Sequence, residues 1–215
     1  METYLKKALL IISLLVFVGC GNKNDVELYN LSPEEWYSQV LKDIQNSDLE
    51  EADKHYISFS SEHISSPLLE QMLLILAQAN VNDEKYETAN AYLDEYIRRY
   101  GTKEKIEFAN YMKIKANFDS FSKPNRNQKL MQDSIAAIEN FLKNYPTTQY
   151  RPLIETMLVK FKLAQYYLDT QIYSLYERID RQESAVIYKD KLDVSPLNGI
   201  DMIEPTLPWY MRAFE

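Results

Sequence analysis

The chain has 215 residues, with 32 acidic against 24 basic side chains and a formal net charge of -8. Such an acidic surface disfavours nucleic acid and anionic lipid as general partners, because both repel it. Four glycines are too few for a turn-rich all-β fold or a phosphate-cradling loop, and a single cysteine excludes an internal disulfide.

Met1–Lys7 carries Lys6 and Lys7, and Ala8–Val18 follows as an apolar run broken only by Ser13. A positive head, a short apolar core and small Gly19 before Cys20 predict a secretory signal peptide over residues 1–19. The run is too short to span a bilayer as a helix, which takes roughly 20 residues. Phe17-Val18-Gly19-Cys20 resembles the lipobox of bacterial lipoproteins, with Phe17 standing where Leu is usual. The expectation is therefore that Cys20 becomes the first residue and carries the lipid, as N-palmitoyl and S-diacylglycerol groups. That use accounts for both the solitude and the place of the cysteine. Residue 21 is Gly rather than the Asp that retains lipoproteins in the inner membrane, so outer-membrane sorting is expected.

Residues 20–31 are polar and read as a tether. Ser32-Pro33-Glu34-Glu35 then supplies an N-cap, a proline at the first helical position and an acidic first turn. From there the chain reads as paired helices. Tyr86–Tyr100 places Tyr86, Ala89, Leu93, Tyr96, Ile97 and Tyr100 on one face, with Arg98 and Arg99 near its carboxyl end and Gly101 as its stop. Leu130–Tyr145 repeats that face with Leu130, Ser134, Ile138, Phe141, Leu142 and Tyr145, and Pro146 marks its end.

These two helices align at an offset of 45, for instance Leu93 with Ile138, Tyr96 with Phe141 and Tyr100 with Tyr145. An earlier segment aligns at an offset of 37, with Ala52 on Ala89, Tyr56 on Leu93 and Phe59 on Tyr96. A unit recurring at near-fixed spacing signals a repeat array, and this one resembles the tetratricopeptide repeat of about 34 residues. The larger offset fits the polar loop Ser122–Gln128, which contains Pro124.

A first helix should precede each of these second helices, near Pro33–Gln45, Pro67–Asn80, Ile106–Phe121 and Tyr150–Leu168. Pro67–Asn80 is apolar almost all round, so it belongs inside the stack. Gln171–Arg181 and Glu183–Leu192 suit helices too, as a fourth pair or a capping helix. The fold class expected is all-α: a tetratricopeptide-like helix-pair solenoid of four to five repeats over residues 32–192. An irregular tail follows over 193–215. Pro196, Pro205 and Pro208 interrupt that tail, and its Trp209, Tyr210 and Phe214 suit either a fold-back onto the last repeat or a docking segment.

Catalytic signatures are missing from the pattern: no phosphate loop, no His-Glu-x-x-His pair and no nucleophile elbow. His55 and His63 lack partners at metal-ligand spacing and read as surface or groove histidines. Glu50, Glu51, Asp53, Asp94 and Glu95 read as a solvated helix face. No catalytic, metal or cofactor-binding residue is assigned. Tyr86, Tyr92, Tyr96, Tyr100 and Tyr111 are expected to divide between core and groove wall, since tyrosine offers contact area at low entropy cost.

Four stretches carry a closer likeness. They are Ser32-Pro33-Glu34-Glu35-Trp36-Tyr37, Tyr92-Leu93-Asp94-Glu95-Tyr96-Ile97-Arg98-Arg99-Tyr100, Phe108-Ala109-Asn110-Tyr111-Met112-Lys113 and Phe141-Leu142-Lys143-Asn144-Tyr145-Pro146-Thr147-Thr148-Gln149-Tyr150. Together with the lipobox and short tether, they make Cys20–Leu192 resemble the BamD family of outer-membrane lipoproteins.

The resemblance implies a non-enzymatic scaffold of the β-barrel assembly machinery, at the periplasmic face of the outer membrane. Its later repeats would dock the BamA-like barrel-forming subunit, and its earlier repeats would bind extended targeting segments of unfolded outer-membrane proteins. Other assembly-complex lipoproteins would be further partners. Only Cys20 carries over as a specific functional residue. The alternative is another repeat lipoprotein, serving pilus secretin assembly or cell-wall coordination.

Overall fold

The computed structural model describes residues 28–121 and 128–200, and these are helical with no strand among them. Eight helices follow one another: α1 (Pro33–Gln45), α2 (Leu49–Glu62), α3 (Leu68–Asn82), α4 (Tyr86–Tyr100), α5 (Lys103–Asp119), α6 (Gln128–Asn144), α7 (Arg151–Arg178) and α8 (Gln182–Asp193). They pack as successive antiparallel pairs, each pair also lying against the next, which is the tetratricopeptide-like arrangement. Four pairs are present among the described residues. The signal segment, Cys20 and tail residues 201–215, with Trp209, Tyr210 and Phe214, lie outside them.

Local chemistry sets the helix starts. At α1 the Glu35 N–H donates to Ser32 Oγ at 3.3 Å, while Glu35 Oε2 accepts from the Ser32 N–H at 2.8 Å, a closed capping box. Asp48 caps α2 by accepting the Glu51 N–H, and Thr102 caps α5 by accepting the Lys105 N–H. Thr102 explains why α5 starts at Lys103, three residues before the Ile106 expected from apolar spacing.

The turns inside the pairs share one design. Ser47, Glu84 and Asp180 each adopt a left-handed backbone, with φ of 59, 59 and 56°. In each turn the next residue donates its N–H five residues back: Asp48 to Asp43 O at 2.9 Å, Lys85 to Asn80 O at 2.8 Å and Arg181 to Tyr176 O at 2.9 Å. In each, the carbonyl of that same residue accepts from a buried alanine, Ala52, Ala89 or Ala185. Alanine at this point lets the second helix lie close against the first. Ser47 and Glu84 stand 37 apart, the offset that aligned the sequence. The recurrence of the turn at Asp180 makes α7–α8 a pair of the same kind.

One correction concerns the last pair. A break was expected after Leu168, with a new helix from Gln171. Instead α7 runs unbroken for 28 residues. Leu168 is buried and Ile172 packs on the same core, so the apolar register continues through Asp169 and Thr170 without a glycine or proline to stop it. The second helix is then α8, packed along the far half of α7.

The core has two clusters joined through α5. Trp36, Phe59, Leu69, Met72, Leu73, Leu76 and Leu93 anchor the first, and Met131, Ile138, Ile154 and Phe161 the second. Helix α5 gives Ala109 to one and Ile114 to the other. As expected, α3 is the most enclosed helix, with Leu69, Met72, Leu73 and Leu76 fully buried. Gly101 ends α4 because space is short there: a Cβ would stand 2.4 Å from the Ile97 carbonyl oxygen and 3.0 Å from Ile106 Cγ1. Its φ of -65° is ordinary, so close approach, not a left-handed turn, requires the glycine.

Candidate binding surface

The first helices of successive pairs touch one another, α1 against α3 and α5 against α7. Side chains tie this layer together along one row. Tyr37 on α1 donates to Gln71 Oε1 on α3 at 3.4 Å. Glu70 on α3 pairs with Lys105 on α5 at 2.5 Å. Farther along α5, Phe108 lies 6.3 Å from the Tyr150 ring, and Tyr111 stacks on it at 4.2 Å with an 8° tilt. Gln149 Nε2 donates to the Tyr150 hydroxyl at 3.0 Å.

Gln71 and Gln149 are exposed and the others are half-exposed. The row therefore offers aromatic faces, amide and hydroxyl groups and one ion pair to solvent. Glu70 and Lys105 are each about a third exposed, so their pairing adds little stability and marks the surface more than it braces the fold. Among the described residues no group of His, Cys, Asp and Glu could hold a metal.

The five singled-out tyrosines separate. Tyr92 and Tyr96 are buried, Tyr100 packs on Tyr96, Tyr86 is half-exposed at the start of α4, and only Tyr111 joins the row. Tyr37 and Tyr150 were visible in the sequence but carried no periodic signal pointing to this surface.

Two readings of polar residues hold only in part. His55 and His63 are half-buried ties rather than free surface or groove groups. His55 Nδ1 sits 2.6 Å from Asp43 Oδ2 with its ring 5.7 Å from Trp36, and His63 Nε2 donates to the Leu31 carbonyl at 2.6 Å. The carboxylates divide as well. Glu50 and Asp94 are solvated, but Asp53 accepts the Tyr92 hydroxyl and Glu95 accepts the Tyr56 hydroxyl at 2.9 Å.

Tyr56 and Tyr92 meet edge to face at 5.8 Å between α2 and α4. Burial, and then the carboxylate each one faces, pushes both phenols well above their ordinary value of 10. Raised folded values favour the neutral phenol. The stability they confer is complete below pH 10 and is lost as pH climbs past it, because the unfolded chain ionises first. Each group then adds up to about 1.4 kcal/mol per pH unit to the slope of that loss. The double variant Tyr56→Phe/Tyr92→Phe should lose about 1 kcal/mol per hydroxyl at neutral pH. Its stability should fall less steeply above pH 10, as followed by circular dichroism in urea.

Residues 30–189 match the family model described as outer membrane lipoprotein, YfiO. The chain is 32% identical over 213 residues to the outer membrane protein assembly factor BamD of Helicobacter pylori, covering 97% of each. The chain belongs to the BamD family. A more distant relative, the BamD of Caulobacter vibrioides, is 24% identical over 135 residues, 61% of this chain and 44% of that one. The BamD family match spans all eight helices except the last residues of α8, so the row of first-helix contacts lies wholly within it. Among the described residues no helix is long and apolar enough to cross a membrane.

Proposed function

We propose that this BamD-family protein is a non-enzymatic scaffold, lipid-anchored through Cys20 at the periplasmic face of the outer membrane. It assists the assembly of β-barrel proteins by binding a BamA-like subunit and extended segments of unfolded barrel proteins. The observation that carries this reading is the near end-to-end match to a relative named as an outer membrane protein assembly factor. The lipobox ending at Cys20 and the glycine after it support the anchor and its sorting.

The row Tyr37, Gln71, Glu70, Lys105, Phe108, Tyr111 and Tyr150 is the surface assigned to substrate segments. Strands of barrel proteins alternate apolar and polar side chains, with aromatic residues where they cross the membrane interfaces. A surface that alternates rings with amide and hydroxyl groups suits them, since Tyr contributes both area and a polar tip. A photo-activated cross-linker placed at Tyr37 and at Tyr111 should capture barrel proteins during their synthesis in cells. Cross-links to barrel proteins from exposed Lys189 on α8 but from neither row position would remove the row from this role.

A further inference from the structure

The segment before α1 is fixed to the far end of the first pair. The Asn30 N–H donates to Glu62 Oε1 at 3.3 Å, and the other oxygen of Glu62 accepts the Trp36 indole N–H at 2.7 Å. His63 holds the Leu31 carbonyl, and Asn30 turns the chain with φ 55°. Tyr29 and Ile64 therefore flank one junction, and Ile57 stands farther up α2. They are 73, 74 and 57% exposed. From residue 28 to residue 152 they are the only exposed large hydrophobic side chains among the described residues.

We propose that this end of the first pair rests on the lipid leaflet, with Tyr29 and Ile64 in the headgroup zone and Ile57 at its margin. The inference rests on the reading of Cys20 as the lipid-bearing residue. Leu28, the first described residue, is eight residue steps beyond Cys20. At about 3.5 Å per residue they reach at most about 28 Å, so the junction stays close to the leaflet that holds the acyl chains. Tyrosine and isoleucine suit that zone, where an aromatic ring with a polar tip straddles water and hydrocarbon. On α2 Lys54 pairs with Glu51 at 2.7 Å and Glu50 at 3.5 Å, and Glu62 at the junction is exposed, so no free cation is left there to attract anionic headgroups and the leaflet in question is zwitterionic rather than anionic. A tether keeps the chain near the membrane; this second contact fixes which way the repeat stack points.

The test uses the full lipidated chain on vesicles of phosphatidylethanolamine and phosphatidylcholine. An environment-sensitive probe is attached at I64C and, for comparison, at V186C on α8; with Cys20 acylated, each label has one free thiol. The probe at 64 should become several-fold less accessible to a water-soluble quencher and should be quenched by bromine on the lipid chains. The probe at 186 should stay as it is in water. If the chain floats with the vesicles but both probes remain equally accessible, the leaflet contact is overturned and the anchor stands. If the probe at 64 is shielded only after a BamA-like subunit is added, the face belongs to a protein partner and the proposal is also overturned. A chain that fails to float at all overturns both the contact and the anchor.

Discussion

Replacing Trp36 with alanine should cost the fold about 3–5 kcal/mol, the range for removing a fully buried large aromatic. Trp36 has no solvent exposure and lies at the centre of the first core cluster. Its ring packs beside His55, and its N–H satisfies Glu62, the carboxylate that also holds Asn30. The substitution opens a cavity between α1 and α2 and frees the segment leading from the tether. A domain of this size carries about 5–15 kcal/mol in all, so the loss is a large share of the total. Chemical denaturation followed by circular dichroism measures it. Limited proteolysis should cut the variant first near Asn30 and Ser47. Tyr37→Ala, one residue away but half-exposed, should cost about 1 kcal/mol or less. Equal losses at the two positions would contradict the core assigned here.

Cys20→Ala should move the protein from the membrane fraction to the soluble periplasmic fraction almost completely. A single acyl chain holds a protein with a partition constant of only about 10⁴ M⁻¹, and several chains on one cysteine multiply their constants. Removing them all leaves only Tyr29, Ile57 and Ile64 against the leaflet, too little apolar surface for durable attachment. Fractionation after osmotic shock reads the result directly. Because Cys20 lies before the first described residue, the helical fold of the variant should be unchanged, and its thermal unfolding should match that of the parent. Continued sedimentation with membranes would contradict the anchor.

The repeat was legible because it is written in residues that packing cannot change freely. Ala52 and Ala89 aligned at one offset, and the structure shows why: each sits where the second helix meets the turn of its pair. The same turn around Asp180 escaped notice. Ala185 is followed directly by Val186 and Ile187, which face solvent, so its periodic signal is blurred. The unbroken α7 was misjudged for a related reason. Asp169 and Thr170 look like a polar interruption, yet a helix ends only where its hydrogen bonds or its packing fail, and Leu168 and Ile172 keep the packing.

The binding row was the least legible part. Tyrosines are abundant, and sequence proximity grouped Tyr86 to Tyr111, whereas the surface draws on residues from four separate segments. The partners of Tyr56 and Tyr92 each lie 39 residues away, on the second helix of the neighbouring pair, and no local pattern reveals a hydrogen bond across that distance.

Affinity capture of the tagged protein from detergent-solubilised envelopes tests the scaffold most directly. Assembly with a BamA-like barrel subunit predicts that this subunit is recovered in near-stoichiometric amount, together with smaller lipoproteins. Recovery of secretin or cell-wall proteins instead, with no barrel assembly subunit, would contradict the account.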